Sequence, residues 1–163
     1  MVEGGEDPKF IARRMLILAA EDIGLANPNA LLLAQACFEA VNVIGWPESR
    51  IILSEAAIYL ATSPKSNSAY MAIESAIGTV KEEGDLAVPL HIRNAPTKLM
   101  KNIGYGKDYK YAHSYTGNFI EDNFLPDSIK GTVFYNPGTN AKEEEIRKKL
   151  SGMWKDTYDY DNK

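Results

Sequence analysis

The chain has 163 residues, of which 45% are hydrophobic and 25% charged, and its net charge is −4. This size suits one domain whose core needs no metal or disulfide, and the single cysteine excludes an internal disulfide. No apolar run is long enough to span a membrane, and the start MVEGGEDP lacks the basic and apolar regions of a signal peptide. We expect a globular protein in the reducing cytoplasm.

Four helices are predicted in residues 1–83, which we expect to form a helical core. Apolar residues recur there at helical spacing between glycine and proline breaks. The predicted helices cover residues 8–23, 28–44, 50–61 and 67–83. Asp7, Asn27 and Ser66 are the predicted N-caps. The second helix is apolar on several faces, so we expect it to be central, with Cys37 as a buried structural thiol.

Residues 84–140 are predicted to be largely irregular. Short helices are expected at 97–103 and 118–124, and TVFY at 132–135 suits a short strand or an extended arm. A terminal helix at 141–154 and a polar tail at 155–163 follow. The sequence therefore predicts one all-α domain, a bundle of about four to five main helices with a long irregular segment wrapped on it.

The segment 91–115 is basic and rich in tyrosine, although the chain as a whole is acidic. Residues 91–117 carry five lysines or arginines and one aspartate. Cations can contact phosphates while aromatic rings stack on unpaired bases. The candidate DNA-binding residues are Arg93, Lys98, Lys101, Tyr105, Lys107, Tyr109 and Lys110. The alternative is a long loop whose tyrosines pack on the helices while its lysines are solvated.

Enzymatic signatures are missing from the sequence. There is no GxxxxGK[ST] phosphate loop, no GxGxxG after a strand, and no HExxH or CxxC. Cys37, His91 and His113 lack metal-ligand spacing. We therefore predict no catalytic residue, cofactor or metal in this chain. A free-standing enzyme with His91 or His113 as a base is a third hypothesis.

Three blocks of the sequence resemble the C-terminal domain of the RarA/MgsA-type AAA+ ATPases, which are related to the Werner-helicase-interacting ATPase. They are ARRMLILAAEDIGLANPNAL, AAIYLATSPKSNSAY and VPLHIRNAPTKLMKNIGYGKDYKYAHSY. The similarity runs from GGEDP at 4–8 to FYNP at 134–137. Two features depart from the family: Ile52 stands where proline is common, and the tail after Trp154 matches nothing specific.

The resemblance implies an all-helical domain, related to the oligomerisation collars of clamp loaders, that assembles the protein as a homotetramer. It places ATP and magnesium in an upstream AAA+ module. It also implies action at stalled or damaged replication forks in the nucleoid, with single-stranded or forked DNA and single-strand-binding protein as partners and no membrane. We therefore interpret the chain as a non-catalytic homotetramerisation domain. The alternative is a DNA-binding module that uses segment 91–115.

Overall fold

The computed structural model describes residues 1–161 and confirms the all-α fold, since none of these residues forms a strand. The helices are α1 (Pro8–Leu18), α2 (Asn29–Ile44), α3 (Ser49–Thr62), α4 (Ser68–Glu83), α5 (Lys98–Asn102) and α6 (Ala141–Trp154). A π-helical turn, Ala19–Ile23, extends α1. Short 3-10 turns lie at Val2–Gly4, Gly24–Ala26, Leu90–Ile92, Ala112–Ser114, Thr116–Asn118, Asp127–Ile129 and Lys155–Thr157.

Two helices, α1 and α6, begin where the sequence predicts. The Asp7 side chain accepts a hydrogen bond from the Lys9 amide at 2.9 Å, with Pro8 at the first position of α1. The helix predicted at 141–154 matches α6. The prediction that Asn27 caps α2 is wrong. Its side-chain amide instead donates to the Tyr59 and Ser63 hydroxyls at 3.0 Å each, which ties the start of α2 to the end of α3.

The helix predicted at 118–124 is also wrong. Only the turn at Thr116–Asn118 forms, and the chain then continues without helix. The Asn123 side chain accepts from the Leu125 amide at 3.3 Å and donates to the Leu125 carbonyl at 2.7 Å. These local side-chain bonds offer the backbone an alternative to helix. The TVFY segment at 132–135 does not form a strand.

The chain divides into two compact units. The first unit comprises Met1–Glu74 and Tyr135–Arg147, and the second comprises Ser75–Phe134 with the described part of 148–163. Helices α1, α2 and α3 contact one another in the first unit, and alanines are among the buried residues of each. The buried core of this unit is Ile11, Ala12, Ala19, Ile23, Ala30, Ala34, Cys37, Val41, Leu53, Ala56 and Leu60.

A fully buried carboxylate, Glu143, joins three segments of the first unit. It accepts hydrogen bonds from Ser68 on α4, from Tyr135 at 3.1 Å and from the Asn140 amide at 2.5 Å. Asn140 caps α6, because its side-chain oxygen accepts from the Glu143 amide at 3.0 Å. Burial raises the pKa of Glu143, but hydrogen bonds, led by that from Ser66, outweigh burial and lower the pKa to about 2.

Two loops of the first unit meet at Gly24. The Ser66 amide donates to the Asp22 carbonyl at 2.8 Å. Gly24 has φ +48°, and a Cβ at this position would lie 2.8 Å from the Ser66 carbonyl oxygen. Only glycine permits this approach, so the EDIG and SPKSN blocks form one structural element.

Aromatic side chains organise the second unit near its C-terminal end. The Trp154 ring packs edge-on against Phe119 and Tyr158, with centroids 5.0 and 4.9 Å apart. Tyr160 is buried next to Tyr158. Two residues of the predicted polar tail, Tyr158 and Tyr160, therefore pack in this unit, and the last two residues, 162 and 163, lie outside the described residues.

Candidate functional site

Segment 91–115 lies in the second unit and folds back on itself. Thr97 caps the start of α5, because its hydroxyl accepts a hydrogen bond from the Met100 amide at 3.2 Å. The Gly106 amide donates to the Leu90 carbonyl at 2.9 Å. Gly106 has φ +68°, and a Cβ there would lie 3.3 Å from the Arg93 carbonyl oxygen. The glycines around Tyr105 thus close a tight loop against residues 90–93.

Arg93 and Tyr105 contact each other. The guanidinium lies 5.0 Å from the centre of the tyrosine ring, and Nη1 donates to the tyrosine hydroxyl at 3.0 Å. Arg93 Nε also donates to the Val88 carbonyl. Two predicted DNA-contacting residues therefore hold the loop together through a cation–π contact and hydrogen bonds. One face of the Tyr105 ring is covered by arginine.

Lys110 forms an ion pair with Asp122, with Nζ and Oδ2 3.1 Å apart. The hydrogen bond from Lys110 lowers the pKa of Asp122, although burial partly opposes it. The other carboxylate oxygen, Oδ1, accepts from the Asn123 amide at 2.9 Å. The carboxylate is therefore fixed on the 122–125 turn, and the predicted phosphate contact of Lys110 is occupied by an internal acid.

The remaining predicted site residues, Lys98, Lys101, Lys107 and Tyr109, are exposed. Within residues 1–161 none of the three lysines forms an ion pair. The structure also exposes Tyr111 and Tyr115, which are absent from the predicted site. Their exposed fractions of 59% and 46% are similar to the 58% of Tyr109. The recurrence of tyrosine along segment 91–115 is the feature of the sequence that could have identified both residues.

The two histidines differ in environment. His91 has its Nε2 buried with no hydrogen-bond partner among the described residues. The His113 ring packs against Tyr111 with centroids 5.1 Å apart. Across residues 1–161, no group of three or more His, Cys, Asp or Glu side chains is arranged to hold a metal ion.

The first unit exposes large apolar side chains on α2 and α3. Leu32, Val43 and Ile58 have 69%, 83% and 66% of their surface exposed. The other exposed large apolar residues on these helices are Leu31, Ile44 and Ile51. A groove of about 570 Å³ lies between the helices and is lined by Leu32, Leu33, Ala36, Ile52 and Tyr59, among others. Cys37 lies at this groove, and burial, followed by the nearby Glu55 carboxylate, raises its pKa.

A family model described as "MgsA AAA+ ATPase C terminal" matches residues 1–154, nearly the whole chain. The chain belongs to this MgsA C-terminal family. The resemblance drawn from the EDIGLANP, SPKSN and HIRNAPTKLMK blocks is thereby confirmed. In this family member, the first two blocks meet at Gly24 and the third contains Arg93 and α5.

Individual relatives agree with this assignment. The chain is 43% identical over 151 residues to replication-associated recombination protein A of Coxiella burnetii, covering 92% of this chain and 34% of that protein. It is 39% identical over 154 residues to the protein of that name from Escherichia coli K12, covering 94% and 34%. It is 43% identical over 137 residues to ATPase WRNIP1 of Dictyostelium discoideum, covering 83% and 16%.

This MgsA C-terminal chain spans about a third of the length of the two bacterial relatives, since it covers 34% of each. The matched part is the C-terminal part of an AAA+ ATPase. Of the helices in residues 1–161, none combines the length and apolar character that a membrane span needs.

Proposed function

We propose that this chain is the non-catalytic homotetramerisation domain of a replication- and recombination-associated AAA+ ATPase acting at stalled or damaged replication forks. The observation that carries this proposal is the exposed apolar surface of α2 and α3, of which Leu32, Val43 and Ile58 are the most exposed members. Contiguous exposed apolar surface is typical of interaction sites. Four copies burying such surfaces would hold four ATPase modules at high local concentration.

Sedimentation velocity on charge-insertion variants tests this proposal. Leu32→Glu combined with Ile58→Glu places two charges on the apolar faces of α2 and α3, where glutamate is compatible with helix. We expect the variant to dissociate to smaller species at a concentration where the wild type is assembled. The control is Thr139→Glu, which adds charge at an exposed loop position outside these helices. Assembly of the double variant to the wild-type size would contradict the proposal.

DNA binding by segment 91–115 is the second candidate function. Lys98, Lys101 and Lys107 are exposed without ion pairs in the described chain, and Tyr109 exposes its ring beside them in sequence. Exposed rings can stack on unpaired bases, while lysines neutralise phosphates. These observations favour single-stranded DNA, including the single-stranded part of a fork. Binding and assembly are compatible, because a tetramer would present four such segments.

Fluorescence anisotropy over a salt series tests the second candidate. Each phosphate contact on a single strand contributes about 0.7 to the slope of log affinity against log salt. Replacing Lys101 and Lys107 by glutamine should therefore reduce the slope by about 1.4. Replacing Lys9 and Lys65, two exposed lysines of the first unit, by glutamine is the matched control. Equal salt slopes for the two double variants would contradict the proposal that segment 91–115 contacts DNA.

The remaining partners are proposals that rest on the family. We infer that single-strand-binding protein is a partner, and that the protein works in the cytoplasm with the nucleoid. This chain contains no GxxxxGK[ST] phosphate loop, the motif that cradles nucleotide phosphates. We therefore propose that ATP and magnesium bind to the AAA+ module of the protein.

A further inference from the structure

The ion pair between Lys110 and Asp122 resembles the contact that a lysine makes with a phosphate oxygen. The nitrogen–oxygen separation of 3.1 Å lies within hydrogen-bonding range. The lysine side chain keeps 44% of its surface exposed, so a ligand can approach it from solvent. Lys110 lies in the same segment as the unpaired lysines, Lys98, Lys101 and Lys107. Unlike them, it already forms an ion pair with a carboxylate of the same chain.

The two partners are held to different degrees. The Asp122 carboxylate is fixed by the Asn123 amide, and Asn123 is bonded to the backbone of Leu125. Lys110 extends from a stretch without helix, between Asp108 at φ +62° and the turn at Ala112–Ser114. A lysine side chain is a flexible four-carbon chain, so the Lys110 ammonium can move away while the Asp122 carboxylate stays in place. Exchange of partner therefore needs no rearrangement of the 122–125 turn.

We propose that Asp122 is an internal competitor for the nucleic-acid backbone: it holds Lys110 in the free protein and gives it up to a phosphate of bound single-stranded DNA. This inference rests on the proposed DNA binding and adds a contact to it. A partly exposed ion pair is weak, which lets a phosphate in a polyanion displace the carboxylate. Because the pair must be broken first, Lys110 contributes less to affinity than Lys101 or Lys107.

Removing the competitor should strengthen binding. We expect Asp122→Asn to bind fluorescein-labelled oligothymidylate roughly threefold to fivefold more tightly than wild type, the effect of an ion pair worth up to about 1 kcal/mol. The slope of log affinity against log salt should change little, because Lys110 contacts a phosphate in both complexes. Lys110→Gln alone should change affinity little, and adding Lys110→Gln to Asp122→Asn should remove the gain.

The control removes the same charge from the neighbouring residue. Glu121 is exposed and accepts a hydrogen bond from Thr157, which a glutamine oxygen can also accept. Glu121→Gln therefore changes the net charge as Asp122→Asn does, without freeing Lys110. A second readout is acetylation of lysine amines followed by mass spectrometry. Lys110 of the free protein should react faster in Asp122→Asn than in wild type, and oligothymidylate should protect it in both.

The outcomes separate this inference from the proposed DNA binding. Tighter binding by Asp122→Asn than by Glu121→Gln, with protection of Lys110, supports it. Equal gains in the two variants, or no protection of Lys110 while the wild type binds, overturn it and leave DNA binding standing. Absence of binding by the wild type and by Asp122→Asn overturns both proposals.

Discussion

Replacing Glu143 by glutamine should destabilise the first unit and change its response to acid. The side chain is fully buried, and the donors around it are oriented for a carboxylate. A pKa of about 2, against an ordinary value of 4.5, corresponds to about 3 kcal/mol of stability from the ionised form. A neutral amide loses this contribution, and its NH2 group would face donors that now bond to the carboxylate: the Asn140 side-chain NH2 on one oxygen or the Ser68 and Tyr135 hydroxyls on the other.

The sign of the pH dependence follows from the direction of the shift. The folded-state pKa is below the unfolded value, so the contribution is complete above about pH 4.5 and is lost as the pH falls toward about 2. Urea unfolding at a series of pH values measures the difference between wild type and Glu143→Gln. We expect this difference to be about 3 kcal/mol near pH 7 and to shrink steadily below about pH 4.5.

Glu144→Gln is the control for this experiment. Glu144 is the next residue on α6 and pairs with Arg147 at 3.4 Å, but its side chain is 45% exposed. Exposed pairs contribute roughly 0–1 kcal/mol, so this variant should stay close to wild type. Equal losses for the two variants, or a loss for Glu143→Gln that does not depend on pH between about 5 and 3, would refute the reasoning.

Three further predictions follow from the first unit. Gly24→Ala should lower the free energy of unfolding by about 1–3 kcal/mol, because its Cβ would meet the Ser66 carbonyl oxygen at positive φ; Gly4→Ala, with open space around it, is the control. The Cys37 thiol should react slowly with a disulfide reagent, because burial raises its pKa. Tyr135 should ionise only near pH 12, because burial and then the Glu143 charge raise its pKa to about 12.

Each of these has a direct check. Equal unfolding midpoints for the two glycine variants would show that the Ser66 carbonyl oxygen leaves room for a side chain at position 24. Modification of Cys37 in native protein as fast as that of a small free thiol would show that the thiol is accessible. An absorbance titration of Tyr135→Phe should lack the last phenolate step of the wild type, and a difference near pH 10 instead would contradict the predicted shift.

Features that depend on neighbouring residues could be read from the sequence. The Asp7–Pro8 start of α1 and the bounds of α6 follow from caps and periodicity within a few positions. The failures came from side chains with a nearer or stronger partner. Asn27 bonds to α3 instead of its own helix, and Asn123 bonds to the turn that follows it.

The candidate site was located by the sequence, but its internal pairing was not. Composition identifies segment 91–115, because charge and tyrosine content are local properties. Arg93 contacts Tyr105 twelve positions away, and Lys110 contacts Asp122 at the same separation. No sequence periodicity links positions twelve residues apart, so only the structure shows which basic side chains have partners within the chain and which do not. In the Glu143 cluster, Glu143 bonds to Ser68, 75 positions earlier in the chain, and the sequence signals only the cap at Asn140.

The central claim is that the apolar faces of α2 and α3 bring copies of this chain together. Its most direct test is the mass of the wild-type chain, measured by light scattering at tens of micromolar with size-exclusion separation. The account predicts about four times the monomer mass of 18.1 kDa. A single species at the monomer mass throughout this concentration range would contradict it.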